Sequence, residues 1–282
     1  MKPPPFSYAA PETIDECVAL LSQYSDEAKI LAGGQSLMPL LNLRMVRPTV
    51  IVDIGRIGGL AHWKKDGNIV RIGALVRQRA LETDKTLADA VPLLAHAVAL
   101  IGHPATRSRG TIVGSMCHAD PAAELPVCAV LLEAEFLLRS SEGKRTVKAN
   151  DFFEDALSTT VRGDEIVECV QFQVMPSGAG YAFDEIARRH GDFALVSVGA
   201  SILGNEAKVA IGGVGARPVA FRYADFAPDE IDRSRFTAFG QHVAKRLEPN
   251  TDLHATGDYR RAIAATLIER TLLAAYERAK RS

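Results

Sequence analysis

An α+β fold in two parts is what this chain of 282 residues predicts, and three observations carry the prediction. Short β-branched runs alternate with apolar helical stretches as far as Val174. The Gly- and Pro-bearing break PSGAG, Pro176 to Gly180, interrupts that pattern. Beyond it, three strand candidates precede two helices, the order of a small α+β domain with a three-stranded antiparallel sheet. The expected domains are therefore 1–176 and 177–282.

Taken in order, Glu12 to Tyr24 puts Ile14, Cys17, Val18, Leu20 and Leu21 on one helical face, with Pro11 at its entry. Ala28 to Leu31 is a short strand running into the glycines of AGGQS, Ala32 to Ser36. A short helix, Leu37 to Leu43, tolerates Pro39 because the first helical turn has no amide bond to lose. Thr49 to Ile54 and Asn68 to Ile72 are strands by β-branched content, and Leu87 to Leu100 is a long apolar helix. Ile101 to Glu124 is rich in Gly, Pro, Ser and Asp, which predicts mostly loop. It carries few long charged side chains, so the loop is expected to fold against something such as a ligand. A helix at Leu125 to Leu132, a hairpin of Glu133 to Arg139 with Lys144 to Lys148, and a strand at Glu165 to Val174 complete the first part. The second part has strands at Tyr181 to Arg189, Leu195 to Leu203 and Ala207 to Ile211. Helices follow at Ser234 to Leu247, with Ser234 as N-cap, and at Tyr259 to Lys280.

Composition narrows the function. Lys and Arg total 33 against 34 Asp and Glu, a net charge of -1 that lacks the basic surplus of a nucleic-acid binder. Cys17, Cys117, Cys128 and Cys169 form no CxxC pair, which argues against a disulfide framework, a zinc knuckle or a cysteine-held iron–sulfur cluster. The start MKPPPFSYAAPET has no apolar run, and no 18-residue apolar stretch occurs, so the expectation is a cytoplasmic protein without membrane insertion.

Two segments carry candidate chemistry. In AGGQS, two glycines and a helix-capping Ser can aim several backbone amides one way, which is anion-binding geometry; an ordinary strand-to-helix turn is the alternative. In TIVGSMCHADPAAELP, Thr111 to Pro126, a second Gly–Ser bend precedes Asp120 and Glu124, which can accept bonds from sugar or polyol hydroxyls. The alternative is a loop with Asp120 capping a helix and Glu124 in its first turn. No P-loop or G-x-G-x-x-G occurs, and GGVGA, Gly212 to Ala216, opens no helix. Ser115, His118 and Asp120 crowd into six residues with no nucleophile elbow, which argues against a hydrolase triad. The histidines form no HxH or HxxxH pair, leaving His118 with Asp120 as the one pairing of interest. In ARRHGDFALVSV, Arg188, Arg189, Asp192 and Phe193 are either a solvated hairpin turn or a contact reaching back to a ligand on the first domain.

Together, AGGQSLMPLLNLRMVRP, IGHPATRSRGTIVGSMCHADPAAELP, RRHGDFALVSVGA and GGVGARPV resemble, in order, the FAD-binding medium subunit of molybdenum hydroxylases. That family includes the flavoprotein subunits of carbon monoxide, nicotine and caffeine dehydrogenases and the middle portion of xanthine dehydrogenase. The resemblance implies an FAD domain of the p-cresol methylhydroxylase and vanillyl-alcohol oxidase type, made of two α+β subdomains, then a C-terminal α+β domain. It implies that Lys29, Ile30, Leu31, Ala32, Gly33, Gly34, Gln35 and Ser36 wrap the pyrophosphate. Thr111, Ile112, Gly114 and Ser115 would close over the pyrophosphate and flavin, Glu124 and Asp120 would reach the sugar region, and Ile101 and Val167 would pack on the cofactor. No catalytic residue and no metal ligand is expected in this chain.

The resemblance also implies a division of labour. A large subunit with a molybdenum cofactor hydroxylates a small substrate, a small subunit with two [2Fe–2S] clusters carries electrons, and this flavoprotein passes them to an acceptor, within a dimer of heterotrimers. Two departures stand out. Val113 occupies a position where the family usually has Gly, so a side chain is expected to intrude on the cofactor, and Leu195 stands where some relatives have a Lys near the flavin. Two other readings remain open: a flavin-free scaffold subunit, and a self-contained flavin oxidoreductase.

Overall fold

The structure, a computed structural model, describes residues 2–227 and 230–281. It opens with β1 (Ser7–Ala9), α1 (Ile14–Tyr24), β2 (Ala28–Leu31), α2 (Leu37–Asn42) and β3 (Val50–Asp53). The three strands form a parallel sheet in the order β1-β3-β2. Thr13 caps α1 by accepting from the Glu16 amide, and Cys17, Val18 and Leu21 are its buried face. The sheet therefore presents the C-terminal end of β2, and the glycines that follow, at its rim.

The second subdomain holds β4 (Trp63–Asp66), β5 (Ile69–Gly73), then α3 (Ala80–Thr83), α4 (Lys85–Ala90), α5 (Pro92–Val98), α6 (Pro104–Arg109), α7 (Ile112–His118) and α8 (Glu124–Leu131). It continues with β6 (Glu135–Ser140), β7 (Gly143–Lys148), α9 (Ala149–Phe152), β8 (Phe153–Asp155), β9 (Ser158–Thr159) and β10 (Ile166–Gln173). Its sheet, β4-β5-β10-β6-β7, is antiparallel. The long helix expected over Leu87 to Leu100 is two helices. Pro92 brings no amide to bond back, and the chain turns at Val91 (φ -137°, ψ 63°) before α5 begins.

The stretch from Ile101 to Glu124 is also not mostly loop. Pro104 starts α6, and Thr111 caps α7 by accepting from the Gly114 amide at 3.0 Å. Small residues suggested loop, but Pro104 and Thr111 start helices, and Ile112, Val113 and Met116 bury one side of α7.

The C-terminal part contains β11 (Gly180–Ala187), β12 (Ala194–Leu203), β13 (Glu206–Gly212), β14 (Val219–Arg222), α10 (Phe236–Ala244) and α11 (Gly257–Ala279). Its antiparallel sheet has four strands among the described residues, one more than expected. The extra strand, β14, is only four residues long and too short to show an alternating pattern. Ser234 is not the N-cap of α10. It lies in a 3-10 turn capped by Asp232, which accepts from the Ser234 amide at 2.8 Å.

Two hydrophobic cores result, one in each part. One face of the C-terminal sheet, with Val196, Val198, Ala200 and Ile202, packs on α10 and α11. The other meets α8, every residue of which is buried. A helix enclosed on all sides needs apolar residues all round, which explains the unbroken run LPVCAVL. Glu133, just beyond α8, pairs with Lys208 (3.0 Å) and Arg222 (3.2 Å) of the C-terminal sheet. Among the described residues no helix is long and apolar enough to cross a membrane.

Candidate functional site

The AGGQS loop leaves β2 and enters α2. Gly34 has φ +72°, a conformation L side chains rarely adopt. Ser36 occupies the N-cap position of α2, but its hydroxyl makes no capping bond, contrary to expectation; its ψ of -46° already bends it into the helix. Among the described residues, none of the amides of Gly33, Gly34, Gln35 and Ser36 donates to a protein acceptor. Four consecutive donors are thus left for a ligand or solvent.

The second motif lies directly against the first. A Cβ on Gly33 would sit 2.5 Å from the Arg109 carbonyl oxygen and 3.1 Å from the Thr111 nitrogen, so only glycine lets the two backbones approach so closely. The Arg77 guanidinium holds the Arg109 carbonyl, the Gln78 amide donates to Gly110 (2.9 Å), and the Ile112 amide donates to Val76 (3.0 Å). These bonds fix the approach of α7. An open cleft results, lined by Gly33, Gly34, Gln35, Met38, Pro39, Asn42 and Arg109. The last four were not expected from the sequence, because a side chain's position on a cleft wall depends on folding.

The remaining expected residues distribute unevenly. Lys29 is exposed, and Ile30 and Leu31 are half-buried on β2. Ala32 lies near Gly114, at 3.9 Å from where a Cβ on that glycine would sit. Gly114 and Ser115 are half-buried in α7, whereas Thr111 and Ile112 are buried. Val167, on β10 beside a register shift, is buried in the first core. Val113 does not intrude as expected: it is buried with Ile112 and Met116 in that core, because its place in α7 turns it away from the loop-facing Gly114.

Ile101 is positioned by a residue that sequence reasoning missed. Arg107, buried, donates to the carbonyls of Ile101 (2.8 Å) and Gly102 (3.2 Å) and pairs with Glu82 at 2.9 and 2.8 Å. The Arg188 to Phe193 turn reaches the same place. A Cβ on Gly191 would lie 2.9 Å from the Gly102 carbonyl oxygen, and Phe193 there is exposed.

Asp120 does not cap α8. Its carboxylate accepts from the Ala122 amide (2.9 Å) in the preceding turn, and Ala123 is the N-cap. Glu124 opens α8 and is 7 % exposed. Burial pushes its carboxyl up to about 7, its own backbone amide opposing and the Asp120 charge adding to the rise. Burial pushes the His118 imidazole down, with Asp120 opposing. All four cysteine thiols are pushed up by burial, Cys17 to about 11 and Cys117 to about 12, so they remain protonated.

This arrangement suits a dinucleotide whose pyrophosphate needs converging amides and whose sugar hydroxyls need a carboxylate. Residues 4–172 match the family model described as the FAD binding domain in molybdopterin dehydrogenase, and residues 181–275 match the CO dehydrogenase flavoprotein C-terminal domain. The chain belongs to this family of FAD-binding medium subunits. Among its relatives, the 6-hydroxypseudooxynicotine dehydrogenase complex subunit alpha of Paenarthrobacter nicotinovorans is 38% identical, with 99% of this chain and 97% of the relative covered. Caffeine dehydrogenase subunit beta of a Pseudomonas species is 33% identical, at the same coverage of 99% and 97%. A chain of carbon monoxide dehydrogenase from Hydrogenophaga pseudoflava superposes with a TM-score of 0.93 at 33% identity, covering 99% of both chains. The expected fold, an FAD domain followed by a C-terminal α+β domain, is the family's. The chain is thus an oxidoreductase flavoprotein subunit, and its unbonded amides and close-packed glycine fit FAD.

Proposed function

We propose that this chain holds FAD noncovalently in the cleft between its two motif loops and serves as the electron-transfer subunit of a molybdenum hydroxylase. It would take electrons from the [2Fe–2S] clusters of a small subunit and deliver them to an external acceptor, while a large subunit with the molybdenum cofactor hydroxylates the substrate. The observation that carries the reading is the row of unbonded amides at Gly33 to Ser36, held against Arg109 to Thr111. Bound FAD supplies the redox chemistry, exchanging one or two electrons.

The chain's own residues supply position and field. The amides of Ala32 to Ser36, after Lys29, Ile30 and Leu31, receive the pyrophosphate, with Arg109 placed to neutralise it. Thr111, Ile112, Gly114 and Ser115 close the loop, and Asp120 and Glu124 accept from sugar hydroxyls. Ile101 and Val167 line the apolar side, and the turn that carries Phe193 approaches Gly102 from the C-terminal domain. We take the domains as 1–176 and 177–282 and the assembly as a dimer of heterotrimers in the cytoplasm. The relative named for caffeine, an N-heterocycle, supports a small N-heterocyclic or aromatic substrate.

The test is turnover. The chain purified alone should oxidise no N-heterocycle with an artificial electron acceptor, while the complex isolated with its partners should; turnover by the single chain would contradict the relay.

A further inference from the structure

Where β12 and β13 part, a buried arginine holds both strand ends. The last paired residues of the two strands are Ser197 and Gly212. Gly213, at φ +75°, then swings the chain out of the ladder, so close to β12 that a Cβ on it would sit 2.5 Å from the Leu195 carbonyl oxygen. Arg260, in the first turn of α11, is 6 % exposed. One of its terminal nitrogens donates to both the Leu195 carbonyl and the Gly213 carbonyl (3.0 Å), and the other donates to Asp252 (2.7 Å). Asp252 in turn accepts from the amides of His254 (2.8 Å) and Ala255 (3.0 Å). His254 Nδ1 lies 3.4 Å from an Arg188 nitrogen, so the loop ahead of α11 also reaches the turn that runs into β12.

The two segments gathered by Arg260 are the ones that meet the FAD domain. The Gly213 amide donates to the Pro121 carbonyl (2.9 Å), next to Asp120. Hydrogen bonds thus run without a break from Arg260 through Gly213 to Pro121. The turn ahead of β12 brings Gly191 so near Gly102 that a Cβ on it would lie 2.9 Å from the Gly102 carbonyl oxygen. Arg107 holds that carbonyl and the one of Ile101 from the other side.

Stability alone does not account for this arginine. Its Nε is buried with no protein partner among the described residues. A buried guanidinium costs more to desolvate than an apolar side chain of similar volume, and the Asp252 side chain, 45% exposed, attracts it through partly solvated space. An apolar residue could fill the same place, but it could not hold two strand ends from one point. The geometry points to Arg260 as a positioning residue for the cofactor site: it fixes the ends of β12 and β13 so that Gly213 holds the turn of Asp120 and Pro121 and Gly191 seats on Gly102 beside Ile101. Arg260 acts through these backbone contacts, and the inference rests on the reading that Asp120 and Ile101 face FAD.

The experiment compares the wild-type full chain with Arg260→Met, which keeps the apolar stem and loses the donors, and Arg260→Lys, which keeps the charge beside Asp252 without the fork. Hydrogen exchange at the Gly213 amide is followed at saturating FAD. FAD dissociation is read from recovery of flavin fluorescence, and the setting of the bound flavin from its visible circular dichroism. In both variants the Gly213 amide should exchange about tenfold faster, FAD affinity should fall about tenfold, and the dichroism should change. Arg260→Lys should show these losses while unfolding at nearly the wild-type denaturant concentration, which separates positioning from stability. Wild-type affinity and dichroism in Arg260→Met overturn the inference, as does a fall in affinity while the Gly213 amide keeps its wild-type protection. Should Arg260→Met not fold, Arg260→Lys gives the same readings. Gly33→Val is the reference: wild-type affinity in Arg260→Met beside none in Gly33→Val removes the positioning role alone. Wild-type affinity in both means that the cleft is misplaced, and the role of Arg260 falls with it.

Discussion

At the scale of single residues, the site depends on what Gly33 and Gly34 omit. Replacing Gly33 with Val puts a side chain into the Arg109 carbonyl and separates the two loops, so the variant should retain no FAD after desalting. Gly34→Ala meets only the flexible Leu31 and Met38 side chains, but it must hold φ +72°, a cost of about 1–2 kcal/mol. It should keep its FAD with a lowered unfolding temperature. Calorimetry and the absorbance ratio of flavin to protein distinguish the two variants. Arg107→Ala removes the donor that fixes Ile101 and leaves Glu82 unpaired; we expect a loss of about 2–3 kcal/mol in chemical denaturation and weakened flavin binding. AGGQS was legible because its residues are consecutive, and the spacing of Asp120 and Glu124 was legible for the same reason. Arg107 and Arg109 were not, because their partners lie elsewhere in the chain. Val113 misled because a departure from a motif says nothing about which way the side chain points.

Among the elements, α8 matters most, since it is shared by both domains. Its apolar character was evident from LPVCAVL, yet its burial on every side required the C-terminal sheet, which no local pattern announces. The same sheet gives GGVGA a role: Gly212 packs on Val127, and Gly213 bonds Pro121, so the motif clasps the second loop rather than a phosphate. Helix breaks and short edge strands were the weak points of the sequence reading. Pro92 divides a run whose periodicity looks continuous, and β14 is too short to show a period. At β10 the junction with the β6–β7 hairpin is held by Glu165. Burial would raise this carboxyl, but bonds from Arg145 and Arg162 overcome that and hold it at about 2. With its folded value depressed, it stabilises the protein above the usual carboxylate range, and that stability is lost as pH falls from about 4.5 toward 2. Glu165→Gln should therefore unfold more readily at neutral pH, by up to about 2 kcal/mol after allowing for solvent around the arginines, and the difference should shrink in acid. Thermal melts from neutral pH down to about pH 3 check this sign.

For the whole molecule, the net charge of -1 and the absence of a CxxC pair acquire a meaning. A chain that would hold one redox group and draw on partners for the others, as proposed, needs no cluster ligands of its own, and its cysteine thiols, two buried and two half-buried, are pushed toward the protonated form. The N-terminal domain supplies the cleft, and the C-terminal domain braces it through α8, the Arg188 to Phe193 turn and Glu133. Whether this cleft holds the cofactor is decided by the flavin content of the chain isolated gently with its partners, with Gly33→Val as control. A pyrophosphate seated on the Gly33 to Ser36 amides predicts about one FAD per chain for the wild type, released intact on heating because it is held by backbone amides and not by a covalent bond, and none for the variant. A wild-type chain without flavin absorbance, or a variant with full occupancy, would contradict it.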